Sequence, residues 1–507
     1  MRAHLISLPI SRLSSVRFYW ALLVLGLIML QSQAWAKKSS PPPERALIHS
    51  QVTEWRELNP PDASAKVIQN AEPTFPAKTW WEDFKDPHLT ALIQEAILHN
   101  HELAMAEQRI LQARALTRQS LGQELPQLSL NPSFTRQRNS RNLVAPSQNQ
   151  FQSAGPRLFA PGSRFNLYNV PLQASYELDL FLKNRDRTRS INQQRIVSEN
   201  QYQTTRVLIS TDIANAYFNL ICADELIRLQ KNAVVLAKDS LDLEKARYEV
   251  GLSSWENVSR AEAHWAQVES ELPKYEELKA VALNKIAILS GKTPVQVATL
   301  PRESMAVIFK NMDQSVLSVG IPAELLIHRP DVLAAEAELT RAKIDVRLAR
   351  KAFLPDLTLS GQFGFASTSL DSLFDWQSHL TAFTASMAQS IFTGGQRHAQ
   401  LKYQKSVYEE KLHHYQQTLL QAFREVEDSL AQLKATEQSK QAYLKVLQAE
   451  TTTLSLTEAR FEKQLVNYQA VLDSKMAVLK TQTALAQTAA NYLNNRLSIY
   501  KALGGGV

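Results

Sequence analysis

The chain repeats itself. His99 through Phe134 lies over His328 through Phe363 at a constant offset of 229, with Leu125-Pro126 on Leu354-Pro355, Leu128 on Leu357, Leu130 on Leu359 and Glu107 on Glu336. Farther along, Ala246-Arg247-Tyr248-Glu249 matches Ala459-Arg460-Phe461-Glu462 at an offset of 213, and Gly291 falls on Gly504. A duplication of this length implies two structurally equivalent halves, and a unit that one copy leaves incomplete has to be completed by assembly.

The N-terminus constrains where those halves work. Arg2, Arg12 and Arg17 precede an apolar run from Tyr19 to Leu30, followed by Ala34-Trp35-Ala36. That order predicts a cleaved export signal over residues 1–36, with the mature chain beginning near Lys37. The run is about a dozen residues, against the ~20 of a spanning helix. Every later apolar run is broken by Gln, Lys, Glu or Arg, so the exported chain is either soluble or enters a membrane as β-strands. Residues 37–78, with Pro41-Pro42-Pro43, Pro60-Pro61, Pro73 and Pro76, read as an extended arm.

Several functions are excluded at this level. Without the three arginines of the signal the net charge falls from +7 to +4, too weak and too evenly spread to argue for nucleic acid. Ser290-Gly291-Lys292-Thr293 ends like a phosphate-binding loop, but the glycine required five residues earlier is Ile286. His99/His101 and His413/His414 lack matching metal ligands, and no nucleophile, base and orienter set appears, so neither enzyme nor cofactor is expected. Cys222 reads as a small buried apolar residue, and no cysteine follows the signal to carry a lipid.

Two periodicities alternate within each copy. Asp86-Pro87 suits a helix start, and the pattern predicts one helix from there to about Glu124, ended by Pro126. A period of two follows over 127–138, with Leu128, Leu130, Pro132 and Phe134 opposite Gln127, Ser129, Asn131 and Ser133. It returns over 165–178, with Tyr168, Val170, Leu172, Ala174, Tyr176 and Leu178 on one face. The second copy repeats it over 356–366 (Leu357, Leu359, Phe363, Phe365) and 379–391 (Phe383, Ala385, Met387). A segment free of Gly and Pro then predicts a long helix over 181–249, turned at Gly251 and followed by a shorter one to about Ser290, interrupted near Pro273. Its counterpart over 396–462 predicts a turn between Gln464 and Tyr468, where local chemistry marks it poorly. Such helices would be ~100 Å long, far beyond globular norms.

Strands of ten to fourteen residues with alternating faces match membrane barrel strands. Four of them cannot lie open in lipid, where unpaired edge groups cost several kcal/mol each, and cannot close, since the smallest barrels need about eight. The chain therefore has to oligomerise to finish its barrel. Alternating strands also build soluble sandwiches, but those have no use for helices of this length.

The residues resemble the TolC-like outer-membrane efflux factors, in the NodT-like branch serving resistance-nodulation-division pumps. The resemblance is carried by Trp80-Trp81-Glu82-Asp83-Phe84-Lys85-Asp86-Pro87, Tyr176-Glu177-Leu178-Asp179-Leu180-Phe181, Ala246 to Leu252, Ile327-His328-Arg329-Pro330-Asp331, Ile391-Phe392-Thr393-Gly394-Gly395, Phe423 to Asp428 and Tyr500 to Gly506. It spans most of residues 80–507 and implies two tandem repeats, 79–297 and 327–507, each a strand pair plus a long helical hairpin, joined by an equatorial linker at 298–326. It also implies a mostly α homotrimer whose chains share one twelve-stranded β-barrel in the outer membrane and an α-helical barrel crossing the periplasm. The implied partners are a periplasmic adaptor protein, an inner-membrane efflux pump and outer-membrane lipid. Within this resemblance Asp473 falls on the family's aperture aspartate, flanked by Gln469 and by Phe461, which lacks the hydroxyl of the locking aromatic in relatives. Val466 stands where one branch has an arginine. Adaptor docking falls on Val250, Gly251 and Leu252 and, more poorly, on Gln464 and Leu465. The rival reading is the adaptor itself, or a structural coiled-coil protein of the envelope; an adaptor would carry one hairpin between Gly-rich β-domains, whereas this chain has two separated by strand pairs.

Overall fold

The computed structural model describes residues 67–69, 79–142, 162–297, 300–308, 317–319 and 328–505. The predicted export signal, most of the predicted arm and parts of the predicted linker lie outside the described residues.

The elements run in the order β1 (Val67–Gln69), a 3-10 turn (Trp80–Phe84), α1 (Pro87–His99), α2 (His101–Gln123), β2 (Gln127–Leu130), β3 (Ser133–Arg138), β4 (Arg164–Glu177) and α3 (Lys183–Glu249). Then follow α4 (Trp255–Glu269), α5 (Leu272–Leu289), α6 (Pro294–Val297), β5 (Leu317–Val319), α7 (Pro330–Lys351), β6 (Asp356–Ser367), β7 (His379–Ala388), α8 (Gln396–Glu462) and α9 (Tyr468–Ala502). The long helices α3 and α8 each have 67 residues and correspond residue by residue at the offset of 213. At ~1.5 Å per residue each is about 100 Å long.

Two elements differ from expectation. The helix predicted from Asp86 to Glu124 is two, because Asn100 leaves helical geometry and caps the second: its Oδ1 accepts from the amides of Glu102 and Leu103 at 2.8 and 3.1 Å. A lone Asn within a helical pattern gives no warning of this, as Gly or Pro would. The strand predicted over 127–138 is broken at Asn131-Pro132, since proline has no N–H for a ladder. Both pieces pair with β4, so they remain one line of the sheet.

The two copies are assembled alike. Asn100 Nδ2 donates to the carbonyl of Leu289 at 2.8 Å, and Arg329 Nη1 donates to the carbonyl of Ala502 at 2.6 Å. Asn100 and Arg329 correspond at one offset, Leu289 and Ala502 at the other. In each copy, therefore, the returning helix (α5 or α9) ends against the start of the helix leading to the strands (α2 or α7). The approach is close enough that a Cβ on Gly291 would lie 2.5 Å from the carbonyl oxygen of His99. Toward the sheet α3 packs between α2 and α7; toward its other end it packs on α4, α5 and α9, while α8 lies along α7 and α9.

An aromatic cluster holds the 3-10 turn before α1 to this framework. Trp80 stacks on Tyr500 at 5.2 Å and Phe84 packs on Phe218 at 5.1 Å. The Tyr500 hydroxyl donates to Asp83 and the Tyr217 hydroxyl to Asp86, both at 2.7 Å. Burial and these carboxylates push both phenols well above their ordinary range. The Asp86 that caps α1, accepting from the amides of His88 and Leu89, thus also accepts a buried phenol.

Candidate functional site

The sheet is antiparallel throughout its strand order β2/β3, β4, β6, β7. Residues directly opposite in a ladder share a face. Leu130 pairs with Leu172, Leu172 with Phe363, and Phe363 with Thr381; Tyr176 pairs with Leu359 and Leu359 with Ala385. The register therefore gathers Leu128, Leu130, Phe134, Tyr168, Val170, Leu172, Ala174, Tyr176, Leu357, Leu359, Phe363, Phe365, Phe383, Ala385 and Met387 on one side. Gln127, Ser129, Asn169, Gln173, Ser175, Thr358, Ser360, Gln362, Thr384 and Ser386 lie on the other. The apolar face is uncovered: Phe383 is 77% exposed, Leu128 67% and Met387 67%. No described element pairs with the outer side of β3 or β7, and these two edges run in opposite directions.

At the end of the helices away from the sheet, two turns repeat each other. The amides of Gly251 and Leu252 donate to the carbonyls of Tyr248 and Arg247 at 2.9 and 2.8 Å. Those of Gln464 and Leu465 donate to Phe461 and Arg460 at 2.8 and 2.9 Å. This pair of bonds closes a helix with a left-handed residue. Gly251 takes that conformation at φ 74°, and Gln464, despite its Cβ, at φ 61°. Val250, Leu252 and Leu465 project from the turns about 70% exposed.

Each turn is also clasped by an aromatic pair, Tyr248 on Trp255 at 5.4 Å and Phe461 on Tyr468 at 5.3 Å. Trp255 and Tyr468 correspond at the offset of 213, a signal present in the sequence that the motif reading passed over. The first tip has in addition a short ionic stay, Glu244 accepting from Arg247 at 2.7 Å and from Ser253 at 2.6 Å, where the second has Lys475 on Glu458 at 3.5 Å.

Of the aperture candidates, Gln469 and Asp473 lie on α9 just beyond the second turn and Phe461 at the end of α8 just before it. Gln469 Nε2 donates to Asp473 Oδ1 at 2.9 Å, and Gln469 Oε1 accepts from Ser240 of α3, also at 2.9 Å. Asp473 is exposed, while the preceding Val471 and Leu472 are buried. The structure thus brings Gln469 and Asp473 together and commits Phe461 to the aromatic clasp. Val250, Gly251 and Leu252 sit together at the other turn.

Among the described residues no cluster of His, Cys, Asp or Glu has metal-holding geometry, and no helix is long and apolar enough to cross a membrane. What the geometry offers is a sheet with one apolar face and open edges, carried on very long helices with exposed apolar turns at their far end.

Comparison with known proteins agrees in architecture. A family profile described as outer membrane efflux protein matches residues 92–292 and 321–505, falling on both copies. The toluene efflux pump outer membrane protein TtgF of Pseudomonas putida is 30% identical over 430 residues, covering 84% of this chain and 85% of the relative. The outer membrane protein VceC of Vibrio cholerae superposes with a TM-score of 0.72 at 28% identity, over 85% of this chain and all of that one. The CmeC outer membrane channel of Campylobacter jejuni gives a TM-score of 0.75 at 24% identity, over 86% and 90% of the two chains.

Proposed function

The chain belongs to the outer membrane efflux protein family, and we propose that it is the outer-membrane channel of a tripartite efflux system, a passive duct for substrates delivered by an inner-membrane pump through a periplasmic adaptor. The observation that carries this reading is the sheet. One face is apolar over strand lines of ten to fourteen residues, which meets the 9–11 residues a membrane strand needs. The other face is polar, as a water-filled lumen requires. Open edges cannot remain in hydrocarbon, and edges of opposite direction allow copies to join head to tail in one continuous antiparallel ladder.

Four strand lines per chain limit the count. Two copies would make an eight-stranded barrel, whose interior side chains fill it. Three make twelve strands and leave a lumen, so a homotrimer is the smallest conducting assembly. The same three-fold symmetry applied to the helices makes a periplasmic α-helical barrel.

At the far end of that barrel, Asp473 from three chains would ring a narrow axis, with Gln469 holding each carboxylate and Phe461 clasping the turn behind it. Such a ring favours cations. The exposed apolar turns, Val250-Gly251-Leu252 and Gln464-Leu465, suit docking of the adaptor. Cargo selection belongs to the pump in this scheme, and the chain is held in the membrane by its barrel.

The test is fractionation and conductance. The expected result is a heat-resistant oligomer in outer-membrane fractions that forms ion-conducting pores in planar bilayers; a soluble periplasmic monomer overturns the proposal.

A further inference from the structure

Charge is segregated between the two strand pairs. From Leu125 to Tyr176 the chain has five arginines, Arg136, Arg138, Arg141, Arg157 and Arg164, and no Asp, Glu or Lys. From Leu357 to Gln396 it has Asp371 and Asp375 and no Lys, Arg or Glu. The first pair's arginines among the described residues are also confined in space. β2 follows α2 directly and β4 leads directly into α3, so Arg138 and Arg164 mark the end of the sheet farthest from the helices.

The register puts three of the arginines on one face. Phe134 pairs with Tyr168, Arg136 with Asn166, and Arg138 with Arg164, so Arg136, Arg138 and Arg164 continue the apolar face beyond its last aromatic pair. The Phe134 and Tyr168 rings touch at 4.9 Å just below them. Their neighbours on the opposite face, Thr135, Gln137 and Phe165, are uncharged. All three arginines are exposed, and none forms an ion pair with a described residue.

Arg138 and Arg164 stand directly opposite each other across the ladder. Like charges in that arrangement repel unless an anion lies between them. Two guanidinium forks side by side, with a third two residues along the edge strand, match the geometry and charge of phosphate, which arginine binds bidentately. The face identifies the source of that phosphate: the position is level with headgroups, immediately above the apolar band.

We propose that Arg136, Arg138 and Arg164 form a binding site for the phosphate groups of outer-leaflet lipids. This rests on the channel reading, because it requires the apolar face to meet lipid. The site anchors the rim of each protomer by charge where the aromatic pair anchors it by partition.

The test uses the full-length protein in detergent, titrated with bisphosphorylated lipid A and followed by native mass spectrometry. The wild type is expected to retain the lipid, and Arg136→Gln/Arg138→Gln/Arg164→Gln to bind it at least about tenfold more weakly. Fully dephosphorylated lipid A should bind the wild type as weakly as the phosphorylated lipid binds the variant, and equimolar inorganic phosphate should not displace the bound lipid. Undiminished binding by the triple variant, indifference to the lipid's phosphates, or displacement by inorganic phosphate overturns the site. So does a result in which Asp371→Asn/Asp375→Asn and the triple arginine variant lower the heat resistance of the oligomer equally while lipid retention is unchanged, since the arginines then pair with acidic loops of a neighbouring copy. Oligomer formation and conductance are measured in the same preparations. Their loss in the wild type would remove the channel reading itself, whereas a conducting triple variant that has lost its lipid isolates the arginines.

Discussion

Replacing Asp186 with Ala should loosen the junction between sheet and helices by about 2–3 kcal/mol. The carboxylate is 2% exposed at the start of α3 and accepts from Lys351 at 2.7 Å, Arg347 at 3.0 Å and Arg189 at 3.3 Å. These are not equal partners. Arg347 and Arg189 are 47% and 55% exposed and can turn to water, so each bond is worth about 0–1 kcal/mol. Lys351 is 20% exposed, and its only other acceptor among the described residues is the carbonyl of Leu182 at 3.0 Å. Breaking a buried pair costs roughly 3–5 kcal/mol, and the residual exposure of Lys351 brings this down to the figure given. Unfolding of so long an assembly is best followed as a rate, read from the decay of the oligomer in urea with helical dichroism in parallel. Asp186→Ala should speed that decay by about one to two powers of ten. Asp186→Leu/Lys351→Met, which removes both charges, should recover most of the loss. A wild-type rate for Asp186→Ala, or a double variant as unstable as the single one, would refute the reasoning.

Other expectations follow from particular groups. Gln464→Gly should stabilise the second turn by about 0.5–1 kcal/mol, the relief of a left-handed side chain less the entropy of glycine, seen as slower amide exchange over 461–467. Gly251→Ala should cost about 1 kcal/mol through φ alone, since its Cβ would meet nothing within 4 Å. Burial, with the carboxylate of Glu225 adding to it, pushes the Cys222 thiol up to about 11, so it should resist maleimide at pH 8 until the chain is unfolded. Because the folded value lies above that of the free thiol, this contribution is complete below pH 9 and is lost as pH rises toward 11, with Tyr217 and Tyr500 extending the loss further. Denaturation midpoints should thus be level to about pH 9 and fall beyond it; a midpoint still level at pH 11 contradicts this. Asp473→Asn should lower the cation preference of single channels, read as a smaller reversal potential in a salt gradient.

The architecture was legible wherever two residues at a fixed offset said the same thing. Period-two alternation identified the face of each strand of the antiparallel sheet, because a residue paired out of phase would have put Leu172 or Phe363 among the glutamines. Breaks were legible only when marked by residue type: Gly251 announced its turn, whereas Asn100 and Gln464 did not. An Asn inside a helix is indistinguishable by pattern from one that caps the next. A left-handed Gln is visible only by analogy with its partner copy. The hairpin tips were located by resemblance, but their clasps, Tyr248 with Trp255 and Phe461 with Tyr468, are contacts across a turn that no helical period predicts. The hydrogen bonds from Asn100 to the carbonyl of Leu289 and from Arg329 to that of Ala502 were beyond reach for another reason. Each joins residues more than 170 apart, and two different side chains perform one task.

The left-handed positions show how the copies have diverged. At the sheet-to-helix junction the first copy uses Leu182, at φ 57°, where the second uses Gly395; at the hairpin turn the first uses Gly251 where the second uses Gln464. Of these two positions each copy thus strains one, at opposite ends of its long helix. Such strain, roughly 1–2 kcal/mol, persists only where the surroundings enforce it. Leu182 is enforced: its carbonyl accepts from Lys351 and from the amide of Asp186, and Asp179 caps the amides of Lys183 and Arg185 beside it. Gln464 has its own turn bonds and the Phe461 clasp, with a longer Lys475 to Glu458 pair at 3.5 Å between α8 and α9 where the first tip has the Glu244, Arg247 and Ser253 stay. The same backbone strain is therefore held by more bonds at the sheet end of the first copy than at the far turn of the second. This less braced position lies nine residues before Asp473, the aperture residue of the channel proposed above, and on that proposal the second turn is where the end of the duct moves.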